Sequence, residues 1–296
     1  MKSIFFIIAM FVALVSNSQN NEFLHANNSG KIVFKEDFEE ISLSEIFANW
    51  EDVKNAEGMN LSDDVPLKSK GNQSLMMTYT PNENDGGHLY RVFPEGYDSL
   101  YARFYIKFLT RNSAVAHLVQ MGGNNPLTKW PKGYAGNKPK GDDSFITCVE
   151  PLKDKWEWGF YTYWMNMRPG ANNKYFGNYF TSTSPKKVEE DKWICVEFMV
   201  KLNDPVEKSN GEQALWINGE KVIHMGKGFP NGNWIWGTFH NNSESKGFEG
   251  FRWRNSDQLK INFFWLSYFM TDGTKGEIDK VLFDDLVIST EYIGPL

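Results

Sequence analysis

The sequence lacks the motifs that mark several large protein classes. Phosphate-binding glycine loops, paired-histidine zinc motifs and the serine nucleophile elbow are all missing. Basic residues are not in excess either, with 31 Lys and Arg against 37 Asp and Glu. Phosphate binding normally requires such an excess, so this balance argues against a nucleic-acid partner. It is compatible with an anionic sugar held in a local basic groove.

Cysteine is scarce, and only Cys148 and Cys195 are present. Both lie in segments that we predict to be strands. In an exported protein such a pair can form a disulfide, so the bridged and the free state both stay open at this point.

A single apolar run, residues 4–15, follows Lys2 and precedes a small, polar stretch that begins at Ser16. The run is shorter than the roughly 20 apolar residues of a membrane span. Its pattern is that of a secretory signal peptide, which we assign to residues 1–20. We therefore expect a secreted or periplasmic protein with no membrane partner. No linker, repeat or charge block interrupts residues 21–296, for which we expect one domain.

Strand periodicity dominates the rest of the chain. In residues 100–108 one face carries Leu100, Ala102, Phe104, Ile106 and Phe108, while Tyr101, Arg103, Tyr105 and Lys107 alternate with them. Residues 193–203 repeat the pattern. We predict that the space between two sheets holds six apolar side chains, namely Leu100, Phe104, Ile106, Val196, Phe198 and Val200.

Further strands are predicted at residues 115–121, 145–149, 159–167, 214–217, 259–270 and 281–289. The dipeptide Asn218-Gly219 indicates a hairpin turn, because both residues accept positive φ. Long helical patterns are absent. The prediction is an all-β protein, a sandwich or a barrel.

Aromatic residues make up 16% of the chain, which suggests ring surfaces that stack on sugars as well as a core. Tyr101, Arg103, Tyr105 and Lys107 share one strand face, which indicates either a carbohydrate groove or a solvated outer face. We favour the groove, where rings stack on sugar and cations bind carboxylate or sulfate.

A second aromatic face carries Tyr161 and Tyr163, with Arg168 just beyond the strand. His117 and Gln120 lie close together in the chain, but strict alternation directs them to opposite faces unless a bulge intervenes. His117 and His88 are each also compatible with a purely structural role.

Carboxylates show no catalytic pairing. A glycoside hydrolase usually needs two carboxylates facing each other, and Glu197 is the only acidic residue at the centre of a well-defined strand, which disfavours that class. We count Glu197 among the candidate binding residues and predict no catalytic metal or cofactor. A structural Ca²⁺ could be shared by acidic residues near the two ends if the first and last strands pair, and ordinary edge-strand charges are the alternative. These acidic residues are Glu36, Asp37, Glu39, Asp284 and Asp285.

The order of motifs resembles the jelly-roll polysaccharide lyases that cleave alginate and glucuronan. The resemblance covers roughly residues 100–289 and is carried by residues 193–203, 210–219, 261–264 and 283–287, together with residues 118–123 and the Tyr161-x-Tyr163 pair. Those lyases often carry an Arg on the strand before the tyrosine pair, and residues 145–149 have none.

The resemblance implies an all-β, two-sheet antiparallel jelly-roll sandwich of the concanavalin A-like kind. It also implies a lyase that cleaves a uronate-containing polysaccharide by β-elimination. In that reaction Arg103, helped by Gln120 or Asn262, would neutralise the sugar carboxylate, Tyr163 or His117 would accept the proton, and a tyrosine hydroxyl would protonate the leaving oxygen. Tyr101, Tyr105, Lys107, Tyr161 and Arg168 would bind substrate. The alternative is a non-catalytic, lectin-like protein of the same fold. In either case we expect a monomer whose partner is an acidic polysaccharide.

Overall fold

The computed structural model describes residues 30–152 and 155–296, which consist almost entirely of β-strands. The predicted signal peptide, residues 1–20, lies outside these described residues. In chain order the strands are β1 (Ile32–Glu36), β2 (Asp52–Lys54), β3 (Met59–Ser62), β4 (Ser74–Tyr79), β5 (Gly86–Tyr97), β6 (Ser99–Phe108), β7 (Val115–His117), β8 (Val119–Asn124), β9 (Ser144–Leu152), β10 (Glu157–Tyr163), β11 (Asn178–Thr181), β12 (Ile194–Lys201), β13 (Glu212–Ile217), β14 (Glu220–Met225), β15 (Gly232–Ile235), β16 (Thr238–Asn241), β17 (Ile261–Met270) and β18 (Asp279–Ser289).

These strands form two sheets. The eight-stranded sheet has the order β14-β13-β12-β6-β18-β4-β3, with β1 added beside β18. The ten-stranded sheet has the order β15-β16-β11-β10-β9-β8-β17-β5-β2, with β7 added beside β17. Neighbours are antiparallel except β11 and β16, which run parallel. The predicted jelly-roll sandwich is therefore confirmed.

Helix contributes little to the described residues. A five-residue helix, α1 (Leu43–Phe47), begins after Ser42, whose hydroxyl accepts a hydrogen bond from the Glu45 N–H as an N-cap. Within residues 30–152 and 155–296, no helix is long and apolar enough to cross a membrane.

The core lies between the sheets, where the alternation placed it. All six predicted core side chains are fully buried. Antiparallel pairing sets Val196 opposite Phe104 and Phe198 opposite Ala102, and Phe108 contacts Trp158 and Tyr268 of the other sheet. Burying each such side chain contributes roughly 1.5–3 kcal/mol.

The predicted hairpin and the open cysteine question are both resolved. Asn218 and Gly219 have φ of 51° and 81° and join β13 to β14.

Both cysteines are free and buried. They lie on different sheets, β9 and β12, and alternation turns both away from the core, so they cannot bridge.

The first and last strands pair, as the calcium prediction required: Glu36 of β1 lies opposite Leu286 of β18. The predicted ligands do not form one group, however. Carboxylate oxygens of Glu36, Asp37 and Glu40 lie within 4.8 Å of one another, whereas Glu39 accepts hydrogen bonds from the N–H groups of residues 72 and 73. Calcium at the Glu36 group stays a prediction.

The buried carboxyl groups of Glu36 and Asp284 predict that the free energy of unfolding falls as pH rises. Burial raises the pKa of Glu36 to about 7 and that of Asp284 to about 7, from ordinary values of 4.5 and 3.8. The folded chain therefore holds protons that the unfolded chain has already lost. This contribution to stability is complete below the unfolded pKa values and is lost as pH rises through about 7. We expect the melting temperature of wild type to be lower at about pH 8 than at about pH 5.

The double variant Glu36→Gln/Asp284→Asn should show a smaller decrease between the two pH values, because the amides do not ionise. Glu83→Gln, at an exposed position, is the matched control and should retain the wild-type decrease. An equal decrease in all three proteins would contradict this assignment.

Candidate functional site

A cavity of about 340 Å³ lies on the face of the ten-stranded sheet that points away from the core. Strands β2, β5, β7, β8, β9, β10 and β17 form its floor, and the loop of residues 132–135 forms one wall. Its lining residues are Lys54, Asp85, Gly87, His88, His117, Gln120, Lys132, Gly133, Tyr134, Ala135, Ile146, Cys148, Tyr161, Tyr163, Trp265, Ser267 and Phe269.

Tyr161 and Tyr163 share the cavity face because they are alternate residues of β10. Their hydroxyl oxygens are 3.1 Å apart, and the ring of Tyr134 lies 5.7 Å from that of Tyr163. Burial raises the pKa of both phenols above the usual value of 10. Both phenols therefore stay protonated at neutral pH and carry a proton that a more basic group, such as a departing alkoxide, can take.

His117 is held by a buried carboxylate. Its Nδ1 lies 3.2 Å from Oε2 of Glu150, and its ring stacks on Phe269 with centroids 6.0 Å apart. A carboxylate only accepts hydrogen bonds, so Nδ1 donates to Glu150, and in that tautomer Nε2 is the nitrogen that can accept a proton. About 37% of the His117 side chain is exposed, whereas Glu150 is 5% exposed. The imidazole is therefore oriented as a proton acceptor at the cavity.

His117 and Gln120 line the same cavity despite their odd spacing. The strand is interrupted at Leu118, which separates β7 from β8 and changes the alternation between the two residues. Gln120 donates from Nε2 to Oγ of Ser267 at 3.1 Å. The interruption therefore acts as a bulge would, because it directs both side chains to the same face.

Two lysines that no sequence pattern predicted, Lys54 and Lys132, line this cavity. Lys132 comes from the loop wall, and Lys54 at the end of β2 has its Nζ 2.7 Å from Oδ2 of Asp85. Lysines in a loop or at the end of a short strand carry no periodic signal, so no pattern pointed to them. Cys148, Glu150 and Trp265 on the cavity face were missed as well.

His88 also lines the cavity, where its Nε2 lies 3.0 Å from Oδ2 of Asp52 and its ring meets Trp265 edge-on. Burial lowers the pKa of His88, although the Asp52 carboxylate opposes this effect. A neutral imidazole fixed by Asp52 is suited to orienting the Trp265 ring.

The prediction that Arg103 acts together with Tyr163 in one groove is wrong, because the face of Tyr101, Arg103, Tyr105 and Lys107 does not share a sheet with the tyrosine pair. These four residues lie on β6 of the eight-stranded sheet, whereas Tyr161 and Tyr163 lie on the other sheet. The alternation correctly predicted that these four side chains point away from the core. They lie, however, on the opposite side of the molecule from the tyrosine pair.

The residues of this face have structural partners instead. Arg103 donates to the carbonyl oxygens of Gly294 and Asp285 at 3.3 and 3.1 Å. Glu197 accepts hydrogen bonds from the N–H groups of Ile293 and Gly294, each at 2.8 Å. The segment of residues 293–296 thus covers Arg103 and Glu197 on the outer face of the eight-stranded sheet, on the other side of the sandwich from the cavity.

Tyr105 and Lys107 of the same face are also engaged. The Tyr105 hydroxyl accepts from the Leu296 N–H at 2.8 Å, and Lys107 pairs with Asp64 and Asp191 at 2.7 and 2.8 Å. Tyr101 packs near Trp216. None of these residues lines the cavity.

Arg168 and Asn262 also lie outside the cavity lining. Arg168 donates to Oε1 of Glu249 at 3.1 Å, and its guanidinium lies over the Trp234 ring. The buried Asn262 exchanges two hydrogen bonds with the backbone of Asn124, at 2.8 and 3.0 Å. Asn262 therefore joins β17 to the end of β8. The site brings together Tyr161, Tyr163, His117 and Gln120 of the predicted residues.

Comparison with known proteins supports the fold. No protein-family profile and no curated protein sequence matches the chain. Among solved structures, alginate lyase Aly36B superposes with a TM-score of 0.57 at 13% identity, covering 88% of this chain and 98% of its own. Alginate lyase vAL-1 from Chlorella virus superposes with a TM-score of 0.57 at 13% identity, covering 88% of this chain and all of its own. The chain has the jelly-roll fold of these alginate lyases.

Proposed function

We propose that this protein is an exported lyase that cleaves a uronate-containing polysaccharide by β-elimination in the cavity on the ten-stranded sheet. One observation carries the proposal: two hydrogen-bonded phenols and a carboxylate-oriented imidazole face the same cavity. Two similar solved structures, Aly36B and vAL-1, are alginate lyases, which agrees with an acidic polysaccharide as the substrate. Export is supported by the apolar run of residues 4–15.

The proposed reaction uses His117 as base and Tyr163 as acid. Nε2 of His117 takes the proton on the carbon that bears the sugar carboxylate. The electron pair of that C–H bond forms a carbon–carbon double bond, and the glycosidic C–O bond breaks. Tyr163, whose pKa is raised by burial, donates its proton to the departing oxygen. The Tyr161 hydroxyl, 3.1 Å from that of Tyr163, holds this phenol in place.

Lys132 and Gln120, in place of Arg103, neutralise the carboxylate of the substrate. The C–H bond becomes acidic only when the neighbouring carboxylate is neutralised by a cation or an amide donor. Lys132 and Gln120 line the cavity, whereas Arg103 is held by residues 285 and 294 on the other sheet. Trp265 and Tyr134 supply ring surfaces for the sugar.

The first test is spectroscopic. Purified protein is incubated with a panel of acidic polysaccharides, and the ultraviolet absorbance of the unsaturated product is followed. The same ring-lined cavity would also suit a protein that binds carbohydrate without cleaving it, because Trp265, Tyr134 and Tyr161 line it. Binding of a panel member with no rise in absorbance would favour that alternative.

Replacing Lys132 by Ala should lower kcat/KM by about 10–100-fold, because a hydrogen bond to a charged group is worth about 1.5–3 kcal/mol. Lys129→Ala is the matched control, since Lys129 is exposed and does not line the cavity. The measurement is the initial rate of product absorbance over a range of substrate concentrations. Equal rates in both variants would remove Lys132 from substrate binding.

A further inference from the structure

Three side chains of the kind that bind transition metals meet on the cavity floor. Oε2 of Glu150 lies 2.9 Å from Sγ of Cys148 and 3.2 Å from Nδ1 of His117. The three ligand atoms all lie within 4.8 Å of one another. Cys148 and Glu150 are both buried, and Cys148 is a free thiol.

The strand geometry holds this group together. Cys148 and Glu150 are alternate residues of β9, so both project onto the cavity face. His117 comes from β7, and its ring is confined between Phe269, at 6.0 Å, and Tyr161, at 5.2 Å. A ligand set that is fixed before the ion arrives loses little conformational entropy on binding.

The two distances from Glu150 are close to those around a tetrahedral ion, and the third, between Cys148 and His117, is at most 4.8 Å. Zinc binds sulfur at about 2.3 Å, and imidazole nitrogen and carboxylate oxygen at about 2.0–2.2 Å. Such bonds put neighbouring ligand atoms about 3.3–3.6 Å apart, so the present hydrogen-bonded contacts need to open by only a few tenths of an ångström. A thiolate together with an imidazole favours zinc over calcium or magnesium, which prefer oxygen ligands.

We propose that Nδ1 of His117, Sγ of Cys148 and the carboxylate of Glu150 bind a thiophilic divalent transition metal, of which zinc is the natural example. The three ligands leave a fourth position for water, as in open zinc sites. On binding, the Cys148 thiol loses its proton to solvent, and the proton on Nδ1 of His117 is replaced by one on Nε2.

The site has a consequence for catalysis that rests on the proposed function. A neutral imidazole bound to metal through Nδ1 carries its proton on Nε2, which then cannot accept a proton from the substrate. Metal occupancy should therefore inhibit elimination, and a chelator should restore it. Metal binding itself requires neither lyase activity nor any role of His117 as a base.

The test is a titration of the tag-free mature chain with Co²⁺ and Zn²⁺. Co²⁺ should produce a sulfur-to-cobalt charge-transfer band that saturates at one ion per chain, and Zn²⁺ should abolish the band by displacement. Cys148→Ser should lose the band and bind at least about 10²-fold more weakly, since even an outer-sphere partner is worth 10–100-fold. Cys195→Ser is the matched control, because Cys195 is the other free, buried cysteine and lies on the opposite sheet.

His117→Ala provides a second variant at a half-exposed position and should weaken binding similarly, with the fold checked by thermal melting. The proposal is overturned if wild type shows no charge-transfer band, or if the band survives in Cys148→Ser. Activity separates the two proposals. A saturable band without product formation on any substrate would leave the metal site standing and contradict the lyase. Product formation that Zn²⁺ does not inhibit, in a protein without the charge-transfer band, would contradict the metal site and leave the lyase proposal standing.

Discussion

Replacing Tyr163 by Phe is expected to lower turnover by about 10²–10⁴-fold, the usual contribution of a general acid or base. The change deletes one hydroxyl and keeps the ring, so the contact with Tyr134 and the stacking surface remain. KM and binding of substrate should therefore change little. The measurement is the rate of ultraviolet product formation, together with affinity for an uncleaved oligosaccharide.

The matched control is Tyr101→Phe, which removes a phenol from the outer face of the other sheet. It should leave turnover at the wild-type level, because the residue is separated from the cavity by the whole sandwich. Full activity in Tyr163→Phe would exclude this residue as the proton donor. The Tyr161 hydroxyl, which lies 3.1 Å from it, would then be the next candidate.

The sequence predicted which face each side chain occupies, but not which sheet a strand joins. The alternation of residues 100–108 correctly separated Phe104 from Arg103, because period two follows from the pleat of a single strand. Sheet membership depends on pairing between distant segments, and β6 pairs with β12 and β18. A face rich in Tyr, Arg and Lys was therefore assigned to the wrong side of the molecule.

Two further features could not be predicted from the alternation. The hydrogen-bond partners of Arg103 and Glu197 are backbone groups of residues 285, 293 and 294, which lie far along the chain and show no motif for this contact. The strand interruption at Leu118 brings His117 and Gln120 onto one cavity face, and an isolated strand sequence does not reveal where its pairing breaks. The Tyr161-x-Tyr163 pair needed neither distant partners nor a break, and its shared face was predicted correctly.

Replacing Phe198 by Asp is expected to abolish soluble expression. Phe198 is fully buried on β12, opposite Ala102 of β6 on one side and Leu215 of β13 on the other. Truncating a buried Phe costs about 3–5 kcal/mol through lost transfer energy and the cavity left behind. An unpaired carboxylate at the same place adds a desolvation penalty of several kcal/mol. The sum approaches the whole stability of a typical domain, about 5–15 kcal/mol.

Two further variants separate a core effect from a general effect of mutating β12. Phe198→Leu keeps an apolar side chain and should cost only about 0.5–3 kcal/mol, so the protein stays soluble with a lower melting temperature. Lys201→Ser, at the exposed end of the same strand, should change stability by less than about 1 kcal/mol, because it removes only an exposed ion pair with Glu212. Soluble, folded Phe198→Asp with a near-wild-type melting temperature would contradict the placement of the Phe198 side chain between the two sheets. The expected order of increasing destabilisation is Lys201→Ser, which leaves the core intact, then Phe198→Leu, which removes part of the apolar contact, and then Phe198→Asp, which also buries a carboxylate.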